Sequence, residues 1–310
     1  MTFLFEDDLV EGAVFLCASG KLGGIPALQI RRFHAERERC YAIPDPDDRA
    51  ETFARVQLAW FQEWGLEEAL RAAVGRFPAL KSGLVTLAFR QARGRNDEGA
   101  ELYRHPDGAQ QGIVALNPAR FAAQAQLTRF LHHELGHLAD MVDDGFGYSP
   151  VLDGTAQTAS QQRLVRERYR LLWNVSVDGR LTRRGLSTVA DENRRRGEFD
   201  RGFAFLEEVR RQTIFDDLWR GLIAGHVGLL AIASDPRGLH EQYAPVPGAP
   251  CPLCGFAAFQ WVQMTTLQSA ARQRIRTEFP GWREDGSLCA RCAEIYESNS
   301  NLTYPATVCL

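Results

Sequence analysis

The chain has 310 residues, of which 45% are apolar and 24% charged, and its formal net charge is −3 at pH 7. This composition is that of a folded globular protein, and it excludes both a disordered chain and a polycationic nucleic-acid-binding protein. The first residues are acidic where a signal peptide would be basic, and the longest apolar run, 221–233, is too short to cross a bilayer. We therefore expect a cytoplasmic protein with no membrane partner.

The first half of the chain predicts an alternation of strands and helices. The apolar runs at 12–18 and 27–33 predict two strands that a glycine-rich turn connects. Aromatic and aliphatic residues at helical spacing predict a helix from 49 to about 77. Further strands are predicted at 82–90, 101–105 and 112–118, the last two as a hairpin.

The second half is mostly helical, and a stripe of leucines predicts a helix from about 119 to 143. The proline-rich segment 244–252 predicts a boundary between a domain of residues 1–243 and one of residues 244–310. We therefore expect an α+β fold, in which a small mixed sheet and helices precede a small cysteine-bearing module. The other predicted helices span about 158–182 and 198–232, the latter with a break near Ile214.

The segment LHHELGHLAD at 131–140 carries an H-E-x-x-H pattern formed by His133, Glu134 and His137. Residues four apart lie on one face of a helix, so two imidazoles can reach one metal ion. Glu134, one step round the helix, can serve as general base toward a water that zinc activates. The pattern predicts a catalytic zinc site, and the alternative is a structural histidine pair. His132 faces elsewhere and is interpreted as a bystander.

The third ligand of this zinc is open. Asp178 is the first choice, because it lies in an apolar helical segment where a carboxylate needs a charged partner, either zinc or an arginine such as Arg180. Asn174, one turn earlier, can orient Asp178 or a ligand histidine. Asp140, one turn after His137, is expected to accept a hydrogen bond from a zinc-bound histidine. The other acidic candidates are Asp143, Glu167, Glu192, Glu198 and Glu207.

Four of the seven cysteines form two C-x-x-C pairs, Cys251 with Cys254 and Cys289 with Cys292. Two such pairs supply four thiolates for a structural, tetrahedral zinc ion. A redox role would need only one pair, and the odd cysteine count favours a reducing compartment over a disulfide framework. We expect a zinc-ribbon-like module whose two knuckles flank a helix within 259–279.

A strand followed by an H-E-x-x-H helix resembles the zincin metallopeptidases. In that family an edge strand beside the helix binds the substrate in extended form, which implies pairing near 112–117 here. H-E-L-G-H-x-x-D is also similar to the zincins of the lethal-factor type, whose third ligand is an acidic residue on a later helix. The order of this motif and a four-cysteine module resembles the SprT-like proteins, although the position of their third histidine is Met141 here.

The distribution of charge along the chain bears on a nucleic-acid partner. Residues 251–310 contain five arginines against five acidic residues, so the cysteine module is not basic. Residues 161–211 contain thirteen arginines against eight acidic residues, including the run 194–196. That run is interpreted as a solvated helix face, with a patch for nucleic acid or an acidic partner as the alternative.

Two classes of function are consistent with these motifs. The first is a zinc-dependent peptidase, in which His133, His137 and Asp178 hold the metal, Glu134 is the general base and the partner is a peptide or protein substrate. The second is a non-catalytic binding or adaptor protein, in which both zinc ions stabilise the fold. A catalytic site leaves one zinc position to water, whereas a structural site closes it with protein.

Overall fold

The computed structural model describes residues 1–20, 24–151, 159–237, 247–279 and 286–299. The chain has an α+β fold and divides into two compact units. The predicted boundary between residues 243 and 244 lies outside the described residues and stays a prediction. The first unit consists of Met1–Ser149, Asn174–Gly197 and Asp216–His226, and the second of Pro150–Trp173, Glu198–Phe215 and Val227–Leu310.

The first unit contains a four-stranded mixed sheet in the order β1-β2-β4-β3. β1 (Thr2–Phe5), β2 (Thr86–Gln91) and β4 (Gln110–Leu116) run parallel, and β3 (Gly99–Arg104) is antiparallel to β4. The predicted hairpin is confirmed. The predicted edge strand at 112–117 is wrong, because β4 pairs with β2 on one side and with β3 on the other. Among the described strands, β3 forms that edge of the sheet.

The strands predicted at 12–18 and 27–33 are wrong, because both segments are helical: α1 (Asp7–Ala18) and α2 (Ala27–Cys40). A short apolar run fits a buried strand or a buried helix equally well. Here both runs belong to helices. In α1 the buried side chains recur at helical spacing, which buries one face and leaves the other to solvent. They are Leu9, Val10, Ala13, Val14 and Cys17.

The long helix predicted from residue 49 is two helices, α3 (Pro46–Glu63) and α4 (Leu66–Val74). Gly65 separates them with a φ of +71°, a conformation that glycine adopts without the clash of a Cβ atom. A short helix, α5 (Pro78–Gly83), then leads into β2. The predicted strand at 82–90 is therefore confirmed in its second part.

α6 (Gln124–Val142) carries the H-E-x-x-H pattern and confirms the predicted helix. Its leucine stripe packs on the sheet at Gly112 of β4, where an added Cβ atom would lie 2.8 Å from Leu138 Cδ2. This close approach fixes α6 above the sheet and beside β3. The fully buried leucines of the stripe are Leu127, Leu131, Leu135 and Leu138.

α7 (Ala159–Arg183) confirms the helix predicted at 158–182. The single helix predicted from 198 to 232 is wrong, since the chain forms α8 (Glu192–Gly202), α9 (Glu208–Arg220) and α10 (Gly225–Ser234) instead. The break predicted near Ile214 falls inside α9. Within the described ranges, no helix is both long enough and apolar enough to cross a membrane.

The cysteine-bearing part of the second unit has two small antiparallel ribbons, β5 (Ala249–Pro250) with β6 (Ala257–Ala258) and β7 (Trp261–Gln263) with β8 (Ser287–Cys289). The helix predicted within 259–279 is confirmed only in its second half. The remaining helices are α11 (Ser269–Glu278) and α12 (Ala290–Asn299). The buried core of this part includes Met264, Leu267, Ala271, Ile275 and Leu288.

Candidate metal centres

His133 and His137 lie one turn apart on α6, and both side chains are buried. Their Nε2 atoms are 3.3 Å apart. A tetrahedral zinc ion bonded to two imidazoles at the usual length holds their nitrogens about 3.3 Å apart. The spacing of the two nitrogens therefore fits one zinc ion shared by both rings.

The electrostatics of His137 favour the neutral ring. Burial, followed by the neighbouring His133, lowers the pKa of His137 well below its ordinary value. A neutral imidazole is the form that binds a metal ion, because the ligating nitrogen must carry a lone pair. The surroundings of His137 therefore favour the neutral imidazole that metal ligation requires.

Asp178 of α7 contacts the histidine pair from the Nδ1 side. The Nδ1–H of His133 donates to Asp178 Oδ1 at 2.8 Å, and the Nε–H of Arg195 donates to Asp178 Oδ2 at 2.5 Å. The Asp178 side chain is fully buried, so both oxygens are held within the protein. A neutral His133 ring with its proton on Nδ1 would keep the lone pair of Nε2 toward His137.

The close approach of α6 and α7 brings Asp178 to this position. A Cβ atom on Gly136, inside the H-E-x-x-H pattern, would lie 2.8 Å from Val177 Cγ1. On the other side of α7, a Cβ atom on Gly179 would lie 2.5 Å from the carbonyl oxygen of Trp219. Two glycines therefore let the helices pack at short distance on either side of Asp178.

Asn174 is the side chain that the structure brings to the ligating side of the pair. Its Oδ1 atom lies 3.0 Å from His137 Nε2, one helical turn before Asp178. Across the described ranges, no third histidine, cysteine or carboxylate converges with the two histidines within ligand distance. The assignment of Asp178 as third ligand stays a prediction, and Asn174 enters as a second candidate.

Glu134 is tethered to the edge strand. Its Oε2 atom accepts a hydrogen bond from the Ala100 N–H at 3.1 Å. In an antiparallel ladder, successive residues alternate between pairing with the neighbour and facing away. The backbone N–H of His105 donates to the Ala109 carbonyl at the hairpin turn. The odd-numbered residues of β3 therefore form the hydrogen-bonded pairs with β4. The Ala100 N–H therefore points to the outer edge of the sheet, toward Glu134.

Asp140 and His132 have partners of their own. Asp140 Oδ2 accepts a hydrogen bond from Arg180 at 2.7 Å, so the arginine considered for Asp178 binds Asp140 instead. The expected role of Asp140 beside a ligand histidine stays a prediction. His132 Nδ1 lies 3.0 Å from the Ser187 carbonyl, which agrees with its interpretation as a bystander.

Arg195 is the site residue that the sequence did not indicate. It lies in the arginine run at 194–196, which was expected to be solvated, yet its side chain is buried against Asp178. The sequence signal that could have indicated it is the need of a buried carboxylate for a cation.

Two of the other acidic candidates have partners of their own. Asp143 accepts a hydrogen bond from the Gly145 N–H, and Glu192 pairs with Arg196.

The four cysteines of the second unit form a compact group. Their candidate ligand atoms all lie within 4.8 Å of one another, and the Cys251–Cys292 and Cys254–Cys289 sulfur pairs are each 3.9 Å apart. Four thiolates around a tetrahedral zinc ion are about 3.8 Å apart. The group can therefore hold a metal ion such as zinc.

The backbone supports a thiolate at Cys251, whereas burial raises the pKa of Cys289 and of Cys292. The Cys289 N–H donates to Cys251 Sγ at 3.3 Å, and the Cys292 N–H donates to Cys289 Sγ at 3.4 Å. Burial raises the pKa of Cys251, but backbone N–H donors outweigh it and lower that pKa to about 7. All the cysteines of the described ranges are free thiols, which agrees with metal ligation rather than disulfide bonding.

Comparisons with protein-family models, with curated proteins and with solved structures find no match to this chain. The functional interpretation therefore depends on the geometry of the two candidate metal centres.

Proposed function

We propose that this chain is a zinc-dependent peptidase of the zincin type, in which His133 and His137 hold the metal and Glu134 is the general base. One arrangement of three side chains carries the proposal. The two Nε2 atoms lie at the separation that one zinc ion requires, and the glutamate between them is hydrogen-bonded to an edge strand. A histidine pair that served only to stabilise the fold would not need a carboxylate directed at a substrate-binding edge.

The residues of the site suit hydrolysis. His133 and His137 would hold the zinc ion, which would supply Lewis-acid activation of a water molecule and of the peptide carbonyl. Glu134, oriented by the Ala100 N–H, accepts a proton from that water and later donates one to the leaving amine. Asp178 keeps the His133 ring in place, and Arg195 balances the charge of Asp178. Asn174 is the candidate third ligand in this arrangement, and Asp178 would become the ligand only by leaving His133 and Arg195.

The substrate would bind as an extended peptide along the outer edge of β3. The even-numbered residues of β3 direct their backbone N–H and C=O groups outward, as the alternation of the β3–β4 ladder requires. Leu102, two residues beyond the Ala100 anchor of Glu134, can therefore pair with a substrate backbone. Strand addition of this kind supplies affinity through main-chain hydrogen bonds with little dependence on sequence.

The four-cysteine group would be a structural zinc site, because all four positions of a tetrahedral ion are filled by protein.

The alternative function is a binding or adaptor protein. One observation favours it: Phe256 and Phe259 are 72% and 66% exposed, beside a cavity of about 340 Å³ that Cys254 and Cys289 border. The cytoplasmic location and the relations to SprT-like and lethal-factor-type proteins stay predictions.

The proposal is tested with the full-length, zinc-loaded protein and its Glu134→Gln variant. Both are incubated with a mixture of unfolded proteins, and the new amino termini are quantified by mass spectrometry. The peptidase assignment requires new termini that appear with the wild type and not with the variant. If no new termini appear with either protein while both hold zinc, the adaptor alternative is favoured.

A further inference from the structure

Arg168, in the first half of α7, is a buried cation in the second unit. Its residue is 5% exposed, and its Nε atom is buried without a hydrogen-bond partner. Within the described ranges, the guanidinium forms no ion pair with a carboxylate. A buried, uncompensated charge is costly, so it is kept where a counter-ion or ligand supplies the missing partner.

A second arginine near Arg168 increases the need for a negatively charged partner. The guanidinium carbons of Arg168 and Arg237 lie 4.8 Å and 5.7 Å from the centre of the Phe205 ring. Burial and, secondly, the positive charge of Arg237 lower the pKa of Arg168 to about 10. Two guanidinium groups that share one aromatic ring repel each other, and an anion between them would remove that repulsion.

A cavity adjoins Arg237 and Phe205, and Arg168 lies against the same Phe205 ring. The cavity has a volume of about 510 Å³ and is lined by Phe205, Leu206, Glu207, Arg210 and Arg237. Arg210 is held at the wall by a hydrogen bond from its Nε atom to the Pro236 carbonyl at 3.3 Å. Glu207 is exposed and brings one negative charge to the rim. The cavity is larger than an inorganic ion and matches the size of a small organic ligand.

We propose that this cavity binds a phosphorylated small molecule, whose phosphoryl oxygens accept hydrogen bonds from Arg168 and Arg237 and whose body lies against Phe205. Planar guanidinium groups bind phosphate oxygens in pairs, and two of them match the double charge of a phosphate monoester better than that of a carboxylate. The site lies in the second unit and does not depend on the proposed peptidase activity.

The test uses the full-length protein, with inorganic pyrophosphate as the probe and acetate at matched ionic strength as the comparison. Binding is measured by isothermal titration calorimetry and by the change in melting temperature. Pyrophosphate is expected to bind the wild type and raise its melting temperature, whereas acetate does neither. Arg168→Gln and Arg237→Gln are each expected to bind it at least about 10-fold more weakly, a loss of about 1.4 kcal/mol.

Arg163→Gln is the matched control, because Arg163 is an exposed arginine of the same helix that pairs with Glu167. This variant is expected to bind pyrophosphate like the wild type. Arg168→Gln without ligand is expected to be at least as stable as the wild type, since it removes an unpaired buried charge. The proposal is overturned if pyrophosphate does not bind, if acetate binds equally well, or if the control variant loses as much affinity as the other two.

Discussion

The Nδ1–H of His133 donates a hydrogen bond to Asp178, and the second oxygen of Asp178 accepts one from Arg195. This buried chain of contacts links the H-E-x-x-H helix to α7. Since Asp178 contacts the ring nitrogen opposite to Nε2, it can hold the ring in orientation without touching the ion. A direct ligand role would require the carboxylate to leave both of its present partners.

Substitution of Asp178 separates these two roles. If Asp178 orients His133, Asp178→Asn keeps a zinc ion at the histidine pair but binds it about 10- to 100-fold more weakly. Zinc affinity is measured by competition with a chelator of known affinity, and Asn174→Ala is measured beside it. Complete loss of that zinc in Asp178→Asn, with full retention in Asn174→Ala, would establish Asp178 as the third ligand.

The two metal centres are expected to load independently. The wild type should contain one zinc ion at the histidine pair and one at the cysteine group, because the ligands belong to different compact units. His137→Ala should lose the first ion only, and Cys254→Ser the second only, as measured by elemental analysis of the purified protein. Cys309→Ser, outside both C-x-x-C pairs, should retain both ions. Unchanged zinc content in His137→Ala would remove the basis of the peptidase proposal.

Glu134→Gln is expected to retain zinc and lose peptidase activity by about 100-fold or more, because an amide cannot accept the proton of the attacking water. The amide oxygen can still accept the hydrogen bond from the Ala100 N–H, so the fold should be unaffected. Cleavage rates at matched zinc content check this. Activity equal to that of the wild type would assign the general base to another residue.

Proline substitutions in β3 test the substrate-binding edge. Leu102→Pro removes an outward N–H, so the sheet should persist while cleavage falls about 10-fold, the effect of one lost main-chain hydrogen bond. Tyr103→Pro removes an N–H from the ladder with β4 and should instead lower the melting temperature. Equal activity in Leu102→Pro and the wild type, at equal zinc content, would place the substrate elsewhere.

Gly136→Ala tests the packing of α6 on α7. The added methyl would lie 2.8 Å from Val177 Cγ1, so we expect a loss of about 1–3 kcal/mol in unfolding free energy and weaker zinc binding at the histidine pair. Chemical denaturation and zinc titration measure the two effects. Val177→Ala added to Gly136→Ala should recover part of both, and no recovery would mean that the clash lies elsewhere.

The helix with the metal motif was predictable because its leucines repeat at one period and its flanks end in turn residues. The hairpin before it was also predictable, because two short strand-like segments flank a run of turn residues. The segments at 12–18 and 27–33 were not, since a seven-residue apolar run contains too few turns to separate a strand from a helix. The interior position of β4 also escaped prediction, because strand order depends on pairing between segments distant in the chain.

Within the site, residues close in sequence were predictable and residues distant in sequence were not. His133, Glu134 and His137 share one helix, so their spacing alone brings them together. Asp178 was selected for its apolar neighbours, but nothing local indicates which ring nitrogen it contacts. Arg195 looked like one of three surface arginines, and only the packing of α7 shows that it is buried against Asp178.

The pairing of Arg195 with Asp178 has a consequence for the choice of metal. The carboxylate nearest the histidines is already neutralised by a guanidinium, so the centre offers nitrogen lone pairs and little net negative charge. Magnesium and calcium bind through several anionic oxygens and should compete poorly there. Ions that favour imidazole, such as zinc, nickel and copper, should be selected from a mixture of divalent cations.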